Sequence, residues 1–279
     1  MKRILFLFTL VAAAAGCQRL GRELAPAPLP PGAPSLAAIL DGLAANDAAI
    51  QSFRGPCSVT LESPDLAGKQ VLHKSSVYFR RPESLHVVGR KYGSTVMRLT
   101  SVGREFLIEF PSEKKYYYRL EGERLETVEF SVSPSDIARE MFFPEPWDTL
   151  DLERVRLVAY EERDQTARLE LLEADGKHVR RVVTVQGPPW VIVRSEHVDR
   201  RGRTLSVTTL RDYRQFDGVN LPATVEAVFP LEKTSMTLAF RELKPNTDIE
   251  DQYFDINARA RELGIVLDRT SAAPQQGTY

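Results

Sequence analysis

Residues 70–120 read QVLHKSSVYFRRPESLHVVGRKYGSTVMRLTSVGREFLIEFPSEKKYYYRL. Strand-like runs occupy 70–80, 84–90, 95–102, 105–110 and 115–120, and Val77 and Phe79 alternate with Tyr78 and Arg80. A period of two sends successive side chains to opposite faces of a strand. Pro82, Gly93, Gly103 and Pro111 punctuate the runs, as short links between strands require. The stretch predicts consecutive antiparallel strands.

Working outward, a further strand is expected at 57–62, and seven more at 155–160, 167–173, 178–185, 190–198, 204–214, 223–229 and 235–242. Asp175-Gly176, Arg201-Gly202 and Asp217-Gly218 sit between them at hairpin spacing. Residues 35–53 predict an amphipathic helix with Ser35 as N-cap and Leu36, Ile39, Leu40, Leu43, Ile50 and Phe53 on one stripe. Residues 133–143 predict a second helix, followed by a loop over 143–148, and 254–263 a third. The fold class is mainly β: a curved antiparallel sheet or barrel with an N-terminal helix and an inserted helix over its concave face. No exact internal repeat is visible.

The N-terminus carries an address. Lys2 and Arg3 precede an apolar run, 4–11, too short to span a bilayer, then Ala12–Ala15 and Gly16. Cys17 follows at once and resembles the lipobox of bacterial lipoproteins, although Ala14 stands where that motif prefers Leu. An ordinary signal cleaved near Ala15, or an uncleaved anchor, would also fit the small residues, but only lipidation requires a cysteine there. Residues 1–16 are therefore expected to be a signal peptide and Cys17 the lipid-bearing mature terminus, held in the membrane by acyl chains worth about 0.8 kcal/mol per methylene. Gln18, by resemblance to the enteric sorting rule, points to the outer membrane. Residues 17–34 form a Pro-rich linker that can reach about 50 Å if extended. The expected domain is 35–257, and 258–279 a helix end and polar tail.

Removing residues 1–16 takes Lys2 and Arg3 from the 37 basic residues and leaves 35 against 38 acidic, a net charge of −3. With no basic block, nucleic acid is not an expected partner. Cys57 is left without a disulfide mate and reads as a small strand residue. His73, His86, His178 and His197 have no partner at zinc-ligand spacing. No nucleophile elbow, Ser-x-x-Lys set or phosphate loop occurs. The expectation is a binding protein, not an enzyme, without metal or cofactor.

Aromatic and apolar groups stand out instead. Tyr116-Tyr117-Tyr118 must place at least one ring on each face of its strand. Ile137, Met141, Phe142, Phe143 and Trp147 gather at the inserted helix and loop. Two readings stay open for them: a lid over a lipid-sized apolar cavity, or a plug for a core.

Two motifs then connect. Tyr78-Phe79-Arg80-Arg81-Pro82, a Gly103 turn, and 106–111 leading to Tyr116-Tyr117-Tyr118 resemble the first half of the LolA/LolB-like superfamily of lipoprotein carriers and outer-membrane receptors. Asp212 through Asp217-Gly218-Val219 to Pro222, and Leu243 through Asn246 to Phe254, resemble its second half. The resemblance implies an unclosed antiparallel β-barrel with helices as a lid, binding acyl chains of lipids or lipoproteins in a hydrophobic cavity, with Ile137, Met141, Phe142, Phe143, Trp147 and Tyr117 as its expected lining. The expected partners of a monomeric chain are membrane lipid through Cys17, lipid or lipoprotein acyl chains and an envelope protein; a sensor or protein-interaction module on the same fold, with no lipid transfer, is the alternative.

Overall fold

The computed structural model describes residues 29–64, 68–103, 105–120, 147, 150–269 and 275–278. The runs of the first half form β1 (Ser52–Glu62), β2 (Gln70–Arg80), β3 (Ser84–Lys91), β4 (Ser94–Val102), β5 (Glu105–Phe110) and β6 (Lys115–Leu120). Those of the second half form β7 (Val155–Glu161), β8 (Thr166–Leu172), β9 (Val179–Gln186), β10 (Val191–Val198), β11 (Thr204–Phe216), β12 (Val219–Phe229) and β13 (Thr234–Phe240). Two short strands follow, β14 (Lys244–Pro245) and β15 (Gln275–Thr278).

Each half is an up-and-down meander, and every ladder is antiparallel. The strand order is β15-β6-β5-β4-β3-β2-β1-β13-β12-β11-β10-β9-β8-β7, so the meanders meet where β1 lies beside β13. Cys57 faces Phe240, Val59 faces Leu238 and Leu61 faces Met236 across that seam. The two ends of the order, β15 and β7, do not pair, so the sheet is a curved, unclosed one. Turn chemistry sets the register locally. Tyr92-Gly93 and Asp217-Gly218 both turn through positive φ (50° and 85°, 49° and 84°), the geometry that matches the twist of a two-residue hairpin.

Helix α1 (Leu36–Ala48) is capped by Ser35 Oγ, which accepts from Ala38 N at 3.1 Å. It ends five residues short of the expected 53. Its last carbonyls are claimed from outside: Arg81 Nη2 donates to Asp47 O at 2.9 Å, Gln51 Nε2 to Ala48 O at 2.7 Å, and Asn246 Nδ2 to Ala49 O at 2.9 Å. Ile50 and Phe53 stay buried as the stripe required, but Phe53 reaches the core from β1, stacked on Phe79 at 5.1 Å. Ile39, Leu40 and Leu43 bury α1 against the inner face, each contributing about 1.5–3 kcal/mol. Gly42 makes the fit possible, because a Cβ there would lie 2.6 Å from Trp190 Cδ1.

The C-terminal part crosses to the other face. Helix α2 (Ile256–Leu263) is capped by Asp255 and stopped by Gly264 at φ 69°. Ile256, Leu107 and Tyr118 form a second, smaller core under it. Residues 275–278, expected to be polar tail, add β15 to the free edge of β6. The expected helix at 133–143 lies outside the described residues.

Candidate ligand-binding face

Side chains directly opposite each other in neighbouring strands share a face. Val59, Leu238, Val225 and Leu210 form one such row across β1, β13, β12 and β11, none more than 7 % exposed. On β8 and β9, Leu169 faces Val183 and Ala167 faces Val185. On the other half, Leu85, Val87, Leu99, Phe106 and Ile108 join the same apolar cluster as α1. The inner face is thus a wall of aliphatic side chains running across both meanders. Such a wall offers dispersion contacts and no hydrogen bonds, the chemistry that acyl chains need.

Among the described residues the wall carries a polar row on β9, β10 and β11. Arg181 of β9 lies opposite His197 of β10, and His197 opposite Ser206 of β11. Two residues along, Val183 lies opposite Ser195, and Ser195 opposite Thr208. Arg181, Ser195, Ser206 and Thr208 are all at most 4 % exposed. Among the described residues, Ser195 Oγ, Ser206 Oγ and Thr208 Oγ1 find no hydrogen-bond partner. A buried hydroxyl left unpaired costs about 1–3 kcal/mol, and native interiors hold few.

The expected lining residues fall into two groups. Tyr117 lies opposite Ile108 and so points inward, meeting Phe110 edge-on at 6.0 Å, while Tyr116 and Tyr118 point to the outer face. Trp147 is 5 % exposed and belongs to the main apolar cluster, against which Tyr117 also packs. Ile137, Met141, Phe142, Phe143 and the acylation candidate Cys17 lie outside the described residues. Cys57 sits on the inner face, where burial pushes its thiol up to about 12, so it is held as a neutral thiol.

The outer face carries charge. Glu109 on β5 is 1 % exposed and accepts hydrogen bonds from Nε and Nη2 of Arg259 of α2, with Arg98 of β4 at 3.7 Å. Beside it His86 Nδ1 contacts Thr100 Oγ1 at 2.8 Å; burial, with Arg98 and Arg259 adding to it, holds the imidazole down to about 4. Asp175 accepts from the backbone of Lys177 and contacts His178 Nδ1 at 2.6 Å, which pins an exposed turn and lowers the Asp175 pKa. Among the described residues no three His, Cys, Asp or Glu side chains gather as metal ligands would.

No family profile and no curated protein matches the sequence. Solved structures do match. A DUF1329 family protein from Desulfovibrio piger superposes with a TM-score of 0.59 at 15% identity, over 80% of this chain and 98% of that one. A putative outer membrane lipoprotein-sorting protein domain from Vibrio parahaemolyticus gives 0.55 at 13%, over 78% and 97%. A LolA superfamily protein from Nitrosomonas europaea gives 0.52 at 16%, over 81% and 100%. The fold is that of the LolA superfamily. In this LolA-like sheet the concave side carries α1 and the apolar wall, and the charged pairs of α2 lie on the opposite side.

The curved antiparallel frame is legible in the strand pattern, but the inward polar row is not. In β11 the apolar residues Leu205 and Val207 alternate with Ser206 and Thr208, and alternation alone assigns the apolar set to the inside. The pairing with β10 and β12 does the reverse: Thr208 shares its face with Ser195 and Ala227. A register shift between Ile192 and Arg194 also breaks the period of β10. The only available signal was the polarity of the Ser/Thr positions themselves.

Proposed function

We propose that this chain is a membrane-tethered acyl-chain-binding protein of the cell envelope, taking chains of lipids or lipoproteins against the inner face of its curved sheet. The observation that carries the reading is the apolar inner wall on an unclosed, LolA-like sheet. Cys17 is the attachment point, with the outer membrane as its place, and Ile137, Met141, Phe142, Phe143, Trp147 and Tyr117 are the groups that line or cover the bound chains. No cofactor and no catalytic group takes part. Transfer follows the difference in affinity between protein and bilayer, since each methylene moved between two dry environments gains little.

Native mass spectrometry of the full chain purified from bacterial membranes, with lipid extraction, tests this. Bound phospholipid or acylated peptide is expected, and Trp147→Asp should lose it while Arg211→Ala, on an exposed outer strand position, keeps it. An apo mass, together with no uptake of a fluorescent fatty acid, would overturn the reading and leave the protein-interaction module in its place.

A further inference from the structure

Resting on the acyl-binding reading, we infer that Ser195, Ser206 and Thr208 form an ester-binding ledge, which holds the glyceryl ester carbonyls of a diacylated ligand while its chains lie along the apolar wall. The three hydroxyls are buried, share one face of β10 and β11, and lack partners among the described residues. Ser195 and Thr208 are direct cross-strand neighbours, so their side chains share one patch of the face. A hydroxyl in an apolar wall is retained at a cost unless something accepts its proton at some stage of the protein's cycle. Ester carbonyls are acceptors without charge, and they occur in pairs at the point where two acyl chains meet. Val183 and Leu169 continue the row on one side, and Ala227 and Met236 on the other, so chains leaving the ledge meet aliphatic surface in either direction. Covered as they stand, the hydroxyls are reached when the groups over the inner face part, the same movement that admitting an acyl chain requires.

Phospholipids and the diacylglyceryl group of acylated lipoproteins share these esters, and the ledge reads that shared chemistry. The test offers the delipidated full chain a diester phosphatidylglycerol, its diether analogue with the same chains but no carbonyls, and a synthetic diacylglyceryl-cysteine peptide. Wild-type protein should bind the diester about tenfold more tightly than the diether, the worth of one or two neutral hydrogen bonds. Ser195→Ala/Thr208→Val should bind both phospholipids equally and, freed of two unpaired hydroxyls, should melt no lower than wild type. The diacylglyceryl peptide binding more tightly than phosphatidylglycerol would name lipoprotein as the source of the esters, and the reverse would name phospholipid. Equal diester and diether affinity in the wild type would overturn the ledge and leave the acyl-binding reading standing. Binding of none of the three ligands would overturn both. A double variant that melts well below wild type would also overturn the ledge, because the hydroxyls would then be serving the fold.

Discussion

Arg259 on α2 grips Glu109 on β5 with two parallel hydrogen bonds, Nε to Oε1 at 2.9 Å and Nη2 to Oε2 at 2.6 Å. The carboxylate is 1 % exposed, so its charge has almost no water to fall back on. Arg259→Ala would leave it with Arg98 at 3.7 Å alone. Breaking a buried pair in this way costs about 3–5 kcal/mol. Urea unfolding should show that loss, and Glu109→Gln placed on top of Arg259→Ala should recover part of it. A loss below about 1 kcal/mol would mean that α2 is held by Ile256 and its apolar neighbours instead.

His86 makes the outer face sensitive to acid. Its folded-state value, about 4, lies below the ordinary 6.5, so the unfolded chain binds the proton first. The stability it contributes is present above pH 6.5 and is lost as the pH falls toward 4, by about 3 kcal/mol in all. Thr100 Oγ1, Arg98, Arg259 and Tyr253 face the ring, and none of them offers it a negative charge. Melting temperature should therefore fall between pH 6.5 and 4.5 in the wild type and fall less in His86→Gln. Parallel pH curves for the two proteins would remove His86 as the cause.

Gly42 lets α1 approach Trp190. A side chain there has to displace the indole, whose Cδ1 would lie 2.6 Å from the new Cβ. Gly42→Val should cost about 1–3 kcal/mol through overpacking, and the Trp190 fluorescence spectrum should shift as the ring moves. Gly68, with no atom within 4 Å of a new Cβ but a φ of 74°, serves as a comparison that carries backbone strain without a clash.

Residues 275–278 pair with Lys115–Tyr118 and occupy the outer edge of β6. Deleting 275–279 would expose a strand that carries Tyr116, Tyr117 and Tyr118 in succession. Open edges of this kind recruit other chains. Light scattering after size exclusion should show concentration-dependent association of the truncated protein and not of the full chain. A monodisperse truncated protein would show that the edge is already protected.

Much of this frame is visible in the residues. The runs 70–80, 105–110 and 115–120 became β2, β5 and β6 without adjustment, because Gly and Pro at their ends leave no other place for the turns. The split of the Tyr116–Tyr118 triplet between faces follows from strand geometry alone. Three features were hidden for physical reasons. β1 begins at Ser52 and not at 57, since Gly55 and Pro56 read as breakers until the close pass of residues 242–243 makes a glycine necessary. β12 begins at Val219, running through Pro222, whose missing N–H is tolerated opposite Tyr213. The inward Ser195, Ser206 and Thr208 depend on register, which no single strand encodes.

The seam between β1 and β13 has a consequence for how the protein comes into being. Its paired residues, Cys57 and Phe240 among them, are about as far apart along the chain as two strands of this sheet can be. Each meander can assemble from neighbours as it is synthesised, since its contacts are local, whereas the seam must wait until residue 240 has emerged. Until that moment the aliphatic face of the first half has no opposite number, and the nascent chain is at its most adhesive. Synthesis order thus makes the seam the joint that unites the two meanders, with only the short β14 and β15 left to add behind it.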